Sequence, residues 1–184
     1  QNGTSTYWPG LILNKGSQQD YGVSVGAGSE KTKMFFSYDY FKEKGLLYND
    51  YSGRHTLRLN IDQTIVNSFK VGLQSQLTYY DENRRTDNIL SVANKVIPYF
   101  TPYNADGTLA KFPGNGNQSN PLYEEQPGAF INKTNTTRIL SSAYAEWKPF
   151  NNLSIRSGAN TRSINPRAIT LTGLSQDKLF KNGA

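Results

Sequence analysis

The 184 residues contain no cysteine, one histidine and two tryptophans. Without thiols the chain can build neither a disulfide framework nor a cysteine-ligated metal site. A single imidazole leaves almost no material for a His-ligated metal or for Ser-His-Asp hydrolysis. Long apolar runs are also missing: no stretch approaches the roughly 18 residues that a membrane-crossing helix needs. Mean hydropathy is −0.63, a value that usually accompanies a soluble protein. Alternating β-strands, however, average out to polar even when they lie in a membrane. The net charge of +6 comes from Lys and Arg scattered along the chain. Without a dense basic run, nucleic-acid binding is not expected. The opening QNGTSTYWPG has no signal-peptide pattern and reads like the interior of a longer protein.

Aromatic residues and glycine are plentiful, with 12 Tyr, 9 Phe and 16 Gly, a balance that favours β-structure with many turns. Six segments alternate with period two. In 19–28, Tyr21, Val23, Val25 and Ala27 oppose Gly22, Ser24 and Gly26. In 31–41, Met34, Phe36, Tyr38 and Tyr40 oppose Lys33, Ser37 and Asp39, with Phe35 out of pattern. The cleanest is 55–65, where Leu57, Leu59, Ile61 and Ile65 oppose Thr56, Arg58, Asn60, Asp62 and Thr64. In 69–80, Phe69, Val71, Leu73, Leu77 and Tyr79 oppose Lys70, Gly72, Gln74, Gln76 and Thr78. In 138–149, Ile139, Ala143, Ala145 and Trp147 oppose Arg138, Ser142, Glu146 and Lys148, although Leu140 and Tyr144 fall on the polar side. In 153–163, Leu153, Ile155 and Ala159 oppose Arg156, Asn160 and Arg162.

These segments are longer than the usual five or six residues of a soluble strand. They match the roughly 9–11 that a tilted membrane strand requires. The connections at 28–30, 66–68 and 151–152 are tight. They alternate with longer ones at 45–53 and 84–137, the rhythm of an up-and-down barrel with short turns on one rim and large loops on the other. Within the long loop, Thr86 or Asp87 is placed to cap a short helix carrying Ile89, Leu90, Ala93, Val96 and Ile97, which Pro98 stops. Asp106-Gly107 marks a tight turn.

The two faces of each strand suit different media. Arg, Lys, Asp, Asn and Gln would be costly in a dry core but are tolerable against a wet or protein-filled lumen, with the apolar face toward lipid. Trp147 and Phe150 beside a short turn, and Tyr38, Tyr40, Tyr79 and Tyr80 toward the loops, are placed as two aromatic girdles. Closure needs about eight strands, so six are expected to be a portion of a larger barrel.

Residues 7–165 resemble the early barrel of SusC/RagA-like TonB-dependent outer-membrane transporters. The resemblance rests on GVSVGAGSEKTKMFFSYDYFKEKGLL at 22–47, RHTLRLNIDQTI at 54–65 and FKVGLQSQLTYY at 69–80, in that order. It continues through VIPYFTPYNADGTLAKF at 96–112 and TTRILSSAYAEWKPFNNLSIRSG at 136–158. It implies an all-β fold: an antiparallel transmembrane β-barrel of about 22 strands, of which these are about six, with one long extracellular loop containing a short helix. Residues 1–18 would end an extracellular loop, 19–165 would form wall with its loop at 84–137, and 166–184 stay unassigned as loop or next strand. The implied function is TonB-energised import of oligosaccharides or peptides across the bacterial outer membrane. The implied partners are a SusD-like surface lipoprotein as lid, the TonB complex and outer-membrane lipid. The sequence departs from that family in showing no plug, no TonB box and no C-terminal strands, so TonB dependence is what the resemblance alone implies.

No catalytic constellation is present, so a transporter is expected rather than an enzyme, with no cofactor and no metal. His55 reads as a solvated polar residue at a strand start. Glu124-Glu125 reads as a charged loop pair, since adjacent carboxylates rarely converge on one substrate. Asn104 to Gly107 lacks the distal Glu of a calcium loop and reads as a turn. Five Asn-x-Ser/Thr matches, at Asn2, Asn117, Asn132, Asn135 and Asn152, mean little in a bacterial cell. Tyr99, Phe100, Tyr103 and Phe112 are candidates for contact with substrate or lid, against the alternative of packing the loop on itself. Arg58, Asp62, Lys70, Arg156 and Arg162 are candidates to face the lumen. The competing functions are a passive porin or other outer-membrane barrel, and a soluble secreted β-sheet binding module.

Overall fold

The computed structural model describes residues 5–85, 88–115, 117–126 and 130–172. Six strands follow one another in both sequence and space: β1 (Ser17–Gly28), β2 (Thr32–Lys44), β3 (Tyr51–Val66), β4 (Phe69–Asn83), β5 (Phe130–Phe150) and β6 (Leu153–Thr172). Every neighbouring pair is antiparallel. The order is that of an all-β meander, with β1 and β6 at its edges among the described residues. Among the described residues three short α-helices and one 3-10 turn (Pro113–Asn115) lie outside the sheet: the α-helices are α1 (Trp8–Ile12), α2 (Ile89–Lys95) and α3 (Pro121–Glu124). No helix among the described residues is long and apolar enough to cross a membrane.

The expected turns join β1 to β2, β3 to β4 and β5 to β6 on one rim. At the first, Ser29 N–H donates to the Thr32 carbonyl at 2.7 Å, and Ser29 Oγ accepts from the Thr32 amide at 3.1 Å. The strands are longer than alternation alone suggested. β5 and β6 run 21 and 20 residues, so β5 begins at Phe130, inside the segment expected to be loop. Residues 166–172, unassigned from sequence, continue β6, paired with Phe130 to Thr136. Most of the missed stretch (NKTNTT, 132–137 of β5) is polar on both faces, and only its partner strand reveals it.

The register separates the faces cleanly. Opposed residues share a face, and rows such as Ala27–Met34–Ile61–Leu73–Ala143–Ala159 cross the whole sheet. One residue along, the row reads Gly28–Lys33–Asp62–Gly72–Tyr144–Gly158. Among the described residues the apolar face has no second layer: Leu57 keeps 37% of its surface, and Val23, Val25, Phe36, Leu73, Ile139 and Ile155 are exposed as well. A soluble sandwich or module would bury these side chains. Every buried hydrophobic residue among those described (Trp8, Ile12, Ile89, Ala93, Val96 and Ala110) lies instead in a connection or in α1.

The apolar belt has the height of a bilayer core. On β4, Phe69 pairs with Trp147 near the short turn, and Tyr79 pairs with His55 toward the loops. The intervening strand is about 33 Å long, or about 25 Å along the membrane normal at a barrel tilt near 40°. The upper girdle is Tyr21, Tyr40, His55 and Tyr79, whose rings are 4.8–6.5 Å from their neighbours. Tyr80, expected in it, lies on the other face under Arg138. Ser75 and Ser141 fall near the middle of the belt. Their hydroxyls bond each other at 2.9 Å, which satisfies both where water is absent.

Candidate functional site: the polar wall and the loop assembly

Arg58, Asp62, Lys70, Arg156 and Arg162 all lie on the polar face, because each is opposed across the ladders by another residue of that set of rows. They do not converge on one point. Arg58 Nε donates to Gln76 Oε1 at 3.2 Å in the upper half. Nearer the short turns, Tyr144 donates its hydroxyl to Asp62 Oδ1 at 2.6 Å, and the Arg156 guanidinium lies 3.8 Å from the Tyr144 ring centre. Tyr144, out of pattern in the sequence, is therefore the centrepiece of a polar network. Gly72 makes the arrangement possible: a Cβ there would collide with the Tyr144 ring. Arg54 lies over Phe41 at 5.0 Å and beside Asp39 at 3.7 Å. Guanidinium groups stacked on rings keep their charge while shedding little water.

His55 is not a solvated strand start. It is the fifth residue of β3, on the apolar face, with Nδ1 2.8 Å from the Tyr38 hydroxyl and its ring against Tyr40. The tyrosines supply both stacking and the hydrogen bond that an imidazole needs at a membrane boundary.

Above the sheet, chain from three places folds together. Trp8 and Ile12 of α1 pack with Ile89, Ala93 and Val96 of the long connection, and Leu47, Phe100 and Leu122 close the cluster. Trp8 donates its indole N–H to the Ile97 carbonyl at 3.2 Å, and the Thr6 amide donates to the Pro98 carbonyl. Helix α2 sits where the apolar spacing placed it and stops before Pro98. Its N-cap position is Asn88; Thr86 and Asp87, the expected caps, lie outside the described residues. Trp8 carried no sequence signal, because its partners are some ninety positions away.

Glu125 is the second thing the sequence concealed. Its carboxylate meets Arg85 Nη1 at 2.7 Å, with side chains 3% and 2% exposed, and its other oxygen accepts from the Tyr48 amide at 3.1 Å. A buried, multiply bonded carboxylate is structural, unlike the expected solvated loop pair. It ties both ends of the long connection to the β2–β3 loop. Asn83 adds a second tie, donating to the Asn49 carbonyl and accepting from the Asn132 amide.

The four aromatic candidates separate. Phe100 packs into the cluster with its ring over Gly114, whose φ of 63° suits glycine. Tyr99 is 77% exposed, and Tyr103 and Phe112 also face solvent. The expected turn at Asp106-Gly107 is present, with Gly107 at φ 83° and the Tyr103 and Leu109 backbones bridged. Asp106 Oδ1 accepts from the Thr108 hydroxyl at 2.6 Å and from its amide at 3.0 Å, and these bonds lower the carboxylate pKa. Just beyond β4, bonding to Glu82 raises the pKa of Arg84. No cluster of metal-ligating side chains occurs among the described residues.

No family model matches the chain. Two curated relatives from Formosa agariphila do. TonB-dependent receptor P3 is 30% identical over 118 residues, covering 59% of this chain and 12% of the relative. TonB-dependent receptor P26 is 25% identical over 164 residues, covering 85% and 16%. The chain thus spans less than a fifth of either relative. Among solved structures, the RagAB peptide importer in its closed-closed state superposes with a TM-score of 0.71 at 16% identity, over 89% of this chain and 19% of that one. Its open-open state gives 0.71 at 17% identity over the same shares. The chain resembles TonB-dependent receptors in sequence and the RagAB barrel in fold, and its sheet is six consecutive strands from the wall of an outer-membrane β-barrel.

Proposed function

We propose that this chain is the early wall and outer loops of a TonB-energised importer that takes oligosaccharides or peptides across the outer membrane beneath a SusD-like lipoprotein lid. The polar face, with Arg58, Asp62, Lys70, Arg156 and Arg162, lines the lumen or holds a plug. The loop assembly meets the lid or the substrate through Tyr99, Tyr103 and Phe112, with Phe100 holding that loop in place. The observation that supports this best is the loop assembly itself. A passive pore needs only a wall, whereas a packed, salt-bridged extracellular structure offers a fixed surface for docking. The likeness to TonB-dependent receptors supports energised transport, and the two RagAB importer structures favour peptides among the substrates.

The test uses the full-length protein in its own outer membrane. Uptake of labelled oligopeptides and oligosaccharides is measured with and without dissipation of the proton gradient, and the tagged barrel is purified to see whether a surface lipoprotein accompanies it. Gradient-dependent uptake with a co-purifying lipoprotein is the expected result. Uptake that continues unchanged after uncoupling would make the protein a porin.

A further inference from the structure

Directly above the upper aromatic girdle, the apolar face carries a cavity of about 510 Å³. Its walls come from β2, β3, the residues preceding β1, the β2–β3 loop and Asp81 of β4. Tyr40 and His55 of the girdle form its lower edge, and Gly53, with no side chain, leaves its back open. Lys15, Lys42 and Lys44 surround it. None of the three forms an ion pair among the described residues. Of the two acids on its wall, Asp81 is already paired with Lys133 at 3.2 Å, so Asp50 alone opposes three lysines. The register leaves no doubt about the direction: Lys42, Gly53 and Asp81 form one row, and Tyr40, His55 and Tyr79 the row beneath it, both on the face that meets lipid.

Aromatic girdles mark the level of lipid headgroups. The cavity therefore opens sideways, at headgroup depth, on the rim that carries the long loops. It is concave, of ligand size, cationic, and floored by rings that can pack on an apolar or sugar surface. We infer that it binds the phosphorylated headgroup of an outer-leaflet glycolipid. The lysines would engage phosphate as point charges, and the Tyr40–His55 edge would take the adjoining sugar or the start of the acyl chains. The inference depends on the membrane placement of the sheet and is independent of what is imported.

The full-length protein is purified in mild detergent and placed in nanodiscs containing either a bisphosphorylated glucosamine lipid or the same lipid with its phosphates removed. Retained lipid is counted by native mass spectrometry for the unaltered protein, for the Lys42→Gln/Lys44→Gln pair and for Lys15→Gln. About 1 kcal/mol per lysine at an anionic surface makes the expected loss for the pair roughly ten- to thirty-fold, with a smaller loss for Lys15→Gln. The phosphate-free lipid should be retained no better than by the double variant. Equal retention of the two lipids, or retention unaffected by all three substitutions, overturns the site. Displacement of the lipid by millimolar inorganic phosphate alone overturns the lipid as its occupant. Heat-modifiable mobility is recorded for each sample. Its loss in the unaltered protein would fault the barrel itself, whereas its persistence confines any negative result to this cavity.

Discussion

The wall and the loop assembly are built from one chain on opposite rules. In the wall, hydrophobic side chains are exposed, while the buried residues are polar ones such as Thr56 and Thr78. In the loop assembly, Trp8 and Ile12 are buried and the tyrosines are outside. Both obey the same preference for apolar surface away from water. They differ in where water is: above the membrane it surrounds the fold, and across the belt it is replaced by hydrocarbon on one side. Burial therefore reports packing in the loops and reports the medium in the wall.

Four substitutions or titrations would break or sharpen this contrast, each made in the full-length protein. The largest effect is expected at Glu125→Gln, which leaves Arg85 charged and buried. Losing one member of a buried pair costs up to about 3–5 kcal/mol. Limited proteolysis within 84–129 should accelerate strongly while heat-modifiable mobility stays intact; if the wall melts too, the two regions are one cooperative unit. Next comes a pair of neighbours on opposite faces. Leu73→Arg, near the middle of the belt, should cost about 2–4 kcal/mol in urea unfolding from vesicles, and Gln74→Arg much less. Equal costs would erase the difference between faces.

Ser75→Ala should cost about 1 kcal/mol by stranding the Ser141 hydroxyl in lipid. Adding Ser141→Ala should recover most of that loss, and additive costs would show that the serines do not rely on each other. The smallest effect belongs to Asp106. Its carboxylate pKa is lowered by Thr108, so its contribution to the turn is complete above the ordinary carboxylate value near 3.9 and is lost as pH falls through the lowered one. Protection of the Thr108 amide, taken relative to its intrinsic exchange rate at each pH, should fall on acidification below about pH 4, and Asp106→Asn should remove that dependence.

What could be read from the sequence follows from periodicity. Side-chain period two assigned Leu57, Leu59 and Ile61 to one face and Arg58, Asn60 and Asp62 to the other, and the structure agrees residue by residue. The tight turns, helix α2 and the Asp106-Gly107 turn were equally legible, because each is set by residues within a few positions of one another. Strand ends were not: β5 reaches back through the polar NKTNTT at 132–137, and β6 runs on past Pro166 into Ile169–Thr172, both fixed by their pairing with each other. Tyr144 looked like an error of pattern until Gly72 opposite explained it. The Arg85–Glu125 bridge spans 40 positions and the Trp8–Ile97 bond 89, and neither leaves a local trace.

The sequence by itself determined the six strands found among the described residues and which side chains share a face, because backbone geometry alternates side chains whatever surrounds them. Tertiary structure decided where the strands stop, that Glu125 is buried and paired, that His55 belongs to the aromatic girdle, and that three lysines ring one cavity. Those outcomes depend on cross-strand register and on contacts between distant loops, and no short stretch of chain contains them.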